Sequence, residues 1–316
     1  MPQRAPRAAD DTFWLRPTSY WLPAHYPVSA WYTHAPFAAW LVDVLRPANV
    51  AELGTHMGFS CFAFAEAAAR LGHTITISAL DSWMGDDQAG FYGEDVLESV
   101  RGTAELDYPA SVRLVRGFFS DSRPRFADAS IDLLHIDGRH AYEDVLQDYE
   151  QWRSVVRDGG VILFHDTAER ERGFGVWRLW DELRDANPTF TFNHGHGLGV
   201  LGVGDVRNDD LRKLFAADDG TADRIRDDFA SLGAEVAHRA ELDTLPEELR
   251  HARLHATQLL DKVAWLEGEN EHLRSAVAAR DQRIGALESS TSWRVTAPLR
   301  AVRRVVPHRG ESTPDR

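Results

Sequence analysis

The sequence of 316 residues contains one cysteine, Cys61, and two lysines, Lys213 and Lys262. A single thiol excludes an intrachain disulfide framework and any zinc site built from several cysteines. No apolar run reaches the ~20 residues that a membrane-spanning helix requires. The first dozen residues, MPQRAPRAADDT, lack the apolar stretch of a secretory signal. The expectation is a soluble protein kept in the cytoplasm. Positive charge is also scarce, with 35 basic against 49 acidic side chains and a net charge of −14. A general electrostatic footprint for nucleic acid needs clustered Lys and Arg, so no nucleic-acid partner is expected. What is present is an ordinary hydrophobic content of 43%, which points to a folded chain. The length suggests one domain with something appended.

Three textures follow one another. Residues 12–45 are crowded with aromatics, among them Phe13, Trp14, Trp31, Phe37 and Trp40. Residues 46–205 alternate short β-rich runs with helical stretches, predicting strands near 48–53, 74–80, 112–116, 131–136, 160–165, 189–193 and 198–203. Between the fourth and fifth strands, Tyr142, Val145, Tyr149, Trp152 and Val156 share one face of a helix over 141–156. Gly159-Gly160 then closes that helix before the next strand. Only NHGHG separates the last two strands, too little for a crossover helix, so they should form an antiparallel hairpin. The fold class is therefore α/β: a doubly wound sheet with one reversed edge strand, followed by a long C-terminal helix. The predicted divisions are an N-terminal segment (1–27), a catalytic domain (28–205), a helical extension (206–244), a coiled coil (245–290) and a basic tail (291–316).

The first strand ends in AELGTHMGFS, where Gly54 and Gly58 occupy a strand-to-helix turn and let a ligand approach the backbone. Glu52 lies two residues before Gly54, and Thr55 and Ser60 fall within the same turn. A dinucleotide fingerprint would need G-x-G-x-x-G to seat a pyrophosphate. Here the spacing is G-x-x-x-G with His56 between, which disfavours a nicotinamide dinucleotide and the oxidoreductase class. The second strand ends at Asp81, followed by Ser82 and Trp83. An acid at this place takes ribose hydroxyls at the carboxyl edge of such a sheet. Ser120, after the third strand, completes the candidate cofactor contacts. Adenosine carrying a sulfonium side chain fits both halves of the pattern. Either motif alone also fits a tight turn and an N-capping Asp.

Together AELGTHMGFS, LDSWMGDDQAGFYGEDV, IDLLHIDGRHAYEDVLQDYEQW, GGVILFHDTAERERGFGVWRLW and HGHGLGVLGVG resemble class I S-adenosylmethionine-dependent methyltransferases. The likeness is greatest to the small-molecule and sugar O-methyltransferase-like branch of bacterial polysaccharide gene clusters, over roughly residues 28–205. It implies a Rossmann-like seven-stranded sheet, S-adenosyl-L-methionine as cofactor, and O-methylation of a sugar hydroxyl in glycan biosynthesis. A noncatalytic scaffold with a degenerate methyltransferase domain is the alternative.

The fourth strand runs into His135-Ile136-Asp137-Gly138-Arg139-His140 and the fifth into Phe164-His165-Asp166-Thr167. Neighbouring strand ends of a doubly wound sheet open onto one crevice, so Asp137 and Asp166 could hold Mg²⁺, which prefers oxygen ligands. Such a metal would acidify a substrate hydroxyl, and His140 could take the proton as base. Asp137 could equally contact the methionine portion of the cofactor, and His140 could simply start a helix. Related metal-dependent sugar O-methyltransferases carry an acid pair after the fifth strand. Thr167 occupies the second of those positions here, so Thr167, His165 or water would have to substitute. His194 and His196 flank Gly195 and are explained by a glycine-rich turn. Residues 85–93, GDDQAGFYG, form a loop candidate over the site, and the N-terminal aromatics are read mainly as core.

Pro246 suits the first turn of a helix, with Glu247 and Glu248 behind it. With Leu249 at position a, the a series continues Ala256, Val263, Asn270, Val277 and Ile284, and the d series reads Ala252, Leu259, Leu266, Leu273, Arg280 and Leu287. β-Branched residues at later a positions, Leu at d and a seam Asn favour a parallel two-stranded coiled coil. A homodimer through residues 247–288 is expected. Residues 293–309 then carry five Arg and no acid, interleaved with Trp293, Val295, Leu299 and Val302. Such a segment suits the inner face of an anionic membrane or an assembly partner.

Overall fold

Short apolar runs build the centre of the protein, seen in a computed structural model that describes residues 12–86 and 90–297. The chain divides after Thr244 into two units. In the first unit the strands are β1 (Asn49–Leu53), β2 (Thr76–Asp81), the two-residue pair β3 (Gly85–Asp86) and β4 (Gly90–Phe91), β5 (Val112–Arg116), β6 (Ile131–Ile136), β7 (Val156–His165), β8 (Thr189–Phe192) and β9 (Leu198–Gly202). All but β3 and β4 form one seven-stranded sheet in the order β5-β2-β1-β6-β7-β9-β8. The run from β5 to β7 is parallel, and β9 is antiparallel to both β7 and β8.

Strand alternation sorts the core into two layers. Val50, Ile77, Leu133, Leu163 and Val200 face one cluster, with α1 (Ala35–Leu45), α2 (Phe59–Arg70), α3 (Glu94–Asp107), α7 (Asp209–Phe215) and the first turns of α8 (Asp219–Ser289). Ala51, Leu53, Leu134, Ile162 and Phe164 face the other, with α5 (Tyr142–Trp152) and α6 (Val176–Arg184). The short α4 (Phe119–Ser122) contacts α5. This period of two is the signature of a sheet covered on both faces. The N-terminal aromatics are mostly core: Trp14, Phe37 and Trp40 are buried, and the Trp14 indole N–H donates to Asp228 at 3.0 Å.

Three sequence expectations are corrected here. The reversed strand is β9, which lies inside the sheet, and β8 takes the edge. Leu198–Gly202 is buried throughout whereas Thr189–Phe192 alternates, so burying β9 between two strands covers more apolar surface. Gly159-Gly160 does not end a helix. The helix stops at Trp152 and continues as a 3-10 turn over Arg153–Val155, and both glycines lie within β7. A register shift there relative to β6 accompanies Gly159 at φ +77°, the mark of a bulge. Pro246 does not start a helix either. α8 runs from Asp219 through it to Ser289, because Ile225, Phe229, Val236 and Ala240 already bury a helical face upstream, and continuing a helix avoids a second costly nucleation.

In the second unit, which begins at Leu245, the seam residues Leu249, Leu259, Val263, Leu266, Leu273, Val277, Ile284 and Leu287 are all exposed. A short α9 (Thr291–Val295) follows, its N-terminus capped by Ser290 accepting from the Trp293 N–H. Residues 298–309 of the predicted basic tail lie outside the described residues.

Candidate active site

From β1 the chain crosses to β2 on one side, while β6 lies on the other. This is a topological switch point, where ligands bind beyond the carboxyl ends of the strands. The loops after β1, β2, β5, β6 and β7 open there onto one cavity of about 820 Å³.

The turn after β1 makes one wall. Gly54 has φ +93°, and a Cβ on it would stand 1.9 Å from the Asp137 carbonyl oxygen. Only glycine therefore lets the β1 and β6 loops meet. Gly58 N-caps α2 at φ +86°. Gly54, Thr55, Gly58, Ser60, Asp81, Ser82, Ser120 and Asp137 all line the cavity. The Thr55 hydroxyl is buried with no hydrogen-bond partner among the described residues. Asp81 is fixed by the backbone N–H groups of His56 at 2.8 Å and Trp83 at 2.7 Å. Its remaining lone pairs can accept ligand hydroxyls. Burial raises its pKa, against those hydrogen bonds.

Two residues expected at the cofactor do not line the cavity. Glu52 is fully buried and faces His135 across the β1–β6 ladder, with Oε1 3.1 Å from His135 Nδ1. The same oxygen accepts from Ser60 Oγ at 2.6 Å, so Glu52 positions Ser60 from behind. Alternation explains this, because Glu52 sits on the same strand face as Val50. Trp83 is buried too, its indole N–H donating to the His56 carbonyl at 3.0 Å.

The adjoining wall holds the titratable centre. Asp137, His140 and Asp166 bring one ligand atom each to within 4.8 Å of one another. His140 Nε2 lies 2.9 Å from Asp166 Oδ2 and 3.8 Å from Asp137 Oδ1, and its ring stacks on Phe174 at 4.3 Å. Asp166 adopts φ +61°, a left-handed conformation that Asp tolerates better than most residues. Behind them His165 puts Nδ1 3.2 Å from Asp137 and 3.3 Å from Asp166, while Nε2 faces the Gly195 carbonyl at 3.1 Å. Both His165 nitrogens meet acceptors only, so both carry hydrogen and the ring is an imidazolium.

The charges are mutually stabilising. Burial disfavours ionised Asp137, but the His165 charge and the hydrogen bonds from His140 and His165 outweigh it and hold the carboxyl well below the usual range. The same opposition leaves Asp166 at about 2. Burial would lower His140, yet its hydrogen bonds to the two carboxylates raise it to about 9. His165 is raised well above its ordinary value by the same pair against the cost of burial. The residue read from sequence as a base thus holds its proton at neutral pH in the ligand-free site.

Thr167 is buried beside Gly197 and does not line the cavity, so it is not placed to replace a missing acid. His194 packs on His34 with ring centroids 4.9 Å apart, and His196 accompanies Glu169. Neither joins the Asp137 group. Of residues 85–93, Gly85, Phe91 and Tyr92 line the cavity, and Asp87 lies outside the described residues. Sequence reasoning read Trp31 mainly as core although it lines the cavity, and missed His165 as the central cation and Arg172 and Phe174 as walls. The signal for His165 was its place beside Asp166 at a strand end.

Residues 51–167 match the family model of a methyltransferase domain. An uncharacterized protein of Sinorhizobium fredii, y4gI, is 46% identical over 175 residues, which is 55% of this chain and 19% of that protein. The chain thus spans about a fifth of that relative's length. Among solved structures, the O-methyltransferase from Bacillus cereus in complex with SAH aligns at TM-score 0.43 and 18% identity, covering 63% of this chain and 92% of that one. The O-methyltransferase TomG from Streptomyces achromogenes, in complex with SAM, aligns at TM-score 0.43 and 16% identity, covering 58% and 83%. The glycine turn, Asp81, Asp137 and Asp166 all lie within the residues that match the methyltransferase-domain model.

Proposed function

We propose that the protein is an S-adenosylmethionine-dependent O-methyltransferase whose acceptor is a sugar hydroxyl, working as a homodimer joined through residues 247–288. The observation that carries this reading is one cavity joining the Gly54 turn and Asp81 to the Asp137–His140–Asp166 centre. The fit to a nucleoside cofactor rests on the backbone approach at Gly54, the unpartnered Thr55 hydroxyl and the pre-positioned Asp81 carboxylate. When bound, the cofactor supplies a methyl group already activated by its sulfonium.

The protein's own residues then orient and manage a proton. Asp81 accepts ribose hydroxyls, while Thr55 and Ser60 hold the amino-acid portion. Asp137 and Asp166 present oxygens suited to a divalent cation such as Mg²⁺, and His140 beside them serves the proton. A cation held there would acidify a hydroxyl. Phe174 fixes the His140 ring by stacking, so Nε2 stays in place to take the hydroxyl proton once the carboxylate charge is otherwise compensated. The rings of Phe91, Tyr92 and Phe174 among polar walls suit a sugar, whose apolar face stacks on aromatics.

A labelled-methyl transfer assay against nucleotide sugars and cell-envelope glycans, with and without Mg²⁺, tests the reading. Transfer to at least one glycan, lost in Asp137→Asn and His140→Ala, is the expected result. Full activity of both variants would remove the site assignment. No transfer together with no cofactor binding would favour a scaffold.

A further inference from the structure

Past Asp81 the cavity continues by Gly117, Phe119 and Ser120 to a polar face of α5 made by Asp144, Gln147, Asp148 and Gln151. These residues follow the i, i+3, i+4, i+7 spacing that shares one helix face, while Val145 and Trp152 turn to the core. With the reacting end of the cofactor at Asp137 and the ribose at Asp81, the base falls to this far wall.

The wall sets an aromatic ring beside a carboxyl. A Cβ on Gly138 would stand 2.6 Å from the Phe119 ring and 3.2 Å from Asp148 Oδ2, so the Asp148 carboxyl and the Phe119 ring converge beside the β6 loop. We propose that Asp148 reads the adenine of the cofactor, its carboxylic acid accepting from the N6 amino group and donating to N1. This rests on the cofactor reading above and adds a specificity-determining residue to it. An adenine edge sets one donor beside one acceptor, and a protonated carboxyl offers the complementary pair.

The surroundings keep that proton available. Burial foremost, then the charge of Asp144 one turn back on α5, pushes Asp148 up to about 7. Asp144 is itself paired with Arg139 at 3.0 Å. From the other elements, uncharged Gly138 and the Phe119 ring converge on the same spot as Asp148.

The test is calorimetric titration of the full chain with S-adenosylhomocysteine and its 6-deamino analogue, whose purine keeps N1 and lacks the N6 amino group, at pH 6 and pH 8. A group titrating near 7 is about nine-tenths protonated at the lower pH and about one-tenth at the higher, so wild-type affinity for S-adenosylhomocysteine should weaken about tenfold. Asp148→Asn, whose amide also donates and accepts, should bind equally at both. At pH 6 the wild type should bind the 6-deamino analogue at least about tenfold more weakly, because the accepting carboxyl oxygen is left without its donor. Asp148→Asn should keep that gap at both pH values, because its amide presents the same acceptor and donor. S-adenosylhomocysteine binding with the same pH response in both proteins, or with no preference over the 6-deamino analogue in the wild type, overturns the assignment while leaving the cofactor reading intact. Absence of S-adenosylhomocysteine binding to the wild type at both pH values overturns the two together. The wild-type comparisons need no variant and stand even if Asp148→Asn folds poorly.

Discussion

Replacing Gly54 by alanine separates two effects that glycine relieves at once. The new Cβ would stand 1.9 Å from the Asp137 carbonyl oxygen and 2.5 Å from its carbon. Both are backbone atoms, so no rotamer change clears the contact, and the β1 turn must move away from Asp137. Gly72 is the internal control, with φ +63° and nothing within 4 Å of its would-be Cβ. Gly72→Ala should cost only the left-handed backbone strain, about 1 kcal/mol. Gly54→Ala carries that strain plus an overpacking cost of about 1–3 kcal/mol, for a total of about 2–4 kcal/mol. Urea unfolding followed by tryptophan fluorescence should show this difference as a lower midpoint for Gly54→Ala. The displaced turn should also weaken S-adenosylhomocysteine binding at least about tenfold, which corresponds to about 1.4 kcal/mol, while Gly72→Ala binds as the wild type does. If Gly54→Ala were no less stable than Gly72→Ala and bound with wild-type affinity, the meeting of the two loops would not shape the site.

Two further outcomes follow from the same geometry. His140 is held protonated up to about 9, against ~6.5 for an unfolded histidine. The folded state therefore binds the extra proton between those values, and its stabilisation is complete below ~6.5 and lost as pH rises through about 9. The loss is at most about 3 kcal/mol. Thermal midpoints measured across that window in the metal-free protein should fall with pH, and less steeply in His140→Gln. An identical slope in the two proteins would contradict the ion cluster. In the second unit, Leu266→Asp puts a charge into the exposed seam, where each leucine buried in a dimer is worth about 1.5–3 kcal/mol. Light scattering should give twice the 35.5 kDa chain mass for the wild type and the single mass for the variant. A monomeric wild type would end the dimer proposal.

The positions of the buried parallel strands were legible because such strands must be short apolar runs, and Ile131–Ile136 is buried at every residue. Strand order beyond the last crossover was not. Nothing local in Leu198–Gly202 says which neighbour it pairs with, and only the contrast between its continuous apolarity and the alternation of Thr189–Phe192 hints that it is interior. Asp137, His140 and Asp166 were legible because strand-end position in a doubly wound sheet predicts convergence. The misplacement of Glu52 shows the limit of that rule, since a residue before the strand end follows strand alternation into the core instead of the crevice. The charge of His165, named from sequence only as a substitute ligand, and the place of Asp148 were missed for a shared reason. Their character comes from what the fold sets beside them, two carboxylates in one case and burial next to Asp144 in the other; spacing shows Asp166 beside His165 and Asp144 one turn from Asp148, but it does not show the burial.

The central claim is that this cavity is built for a sulfonium nucleoside and not for a dinucleotide. Calorimetric titration of the wild-type chain with S-adenosylmethionine, S-adenosylhomocysteine and NAD tests it most directly. One equivalent of each sulfur compound should bind per chain, with NAD giving no heat of binding. Saturable binding of NAD, with neither sulfur compound bound, would contradict it.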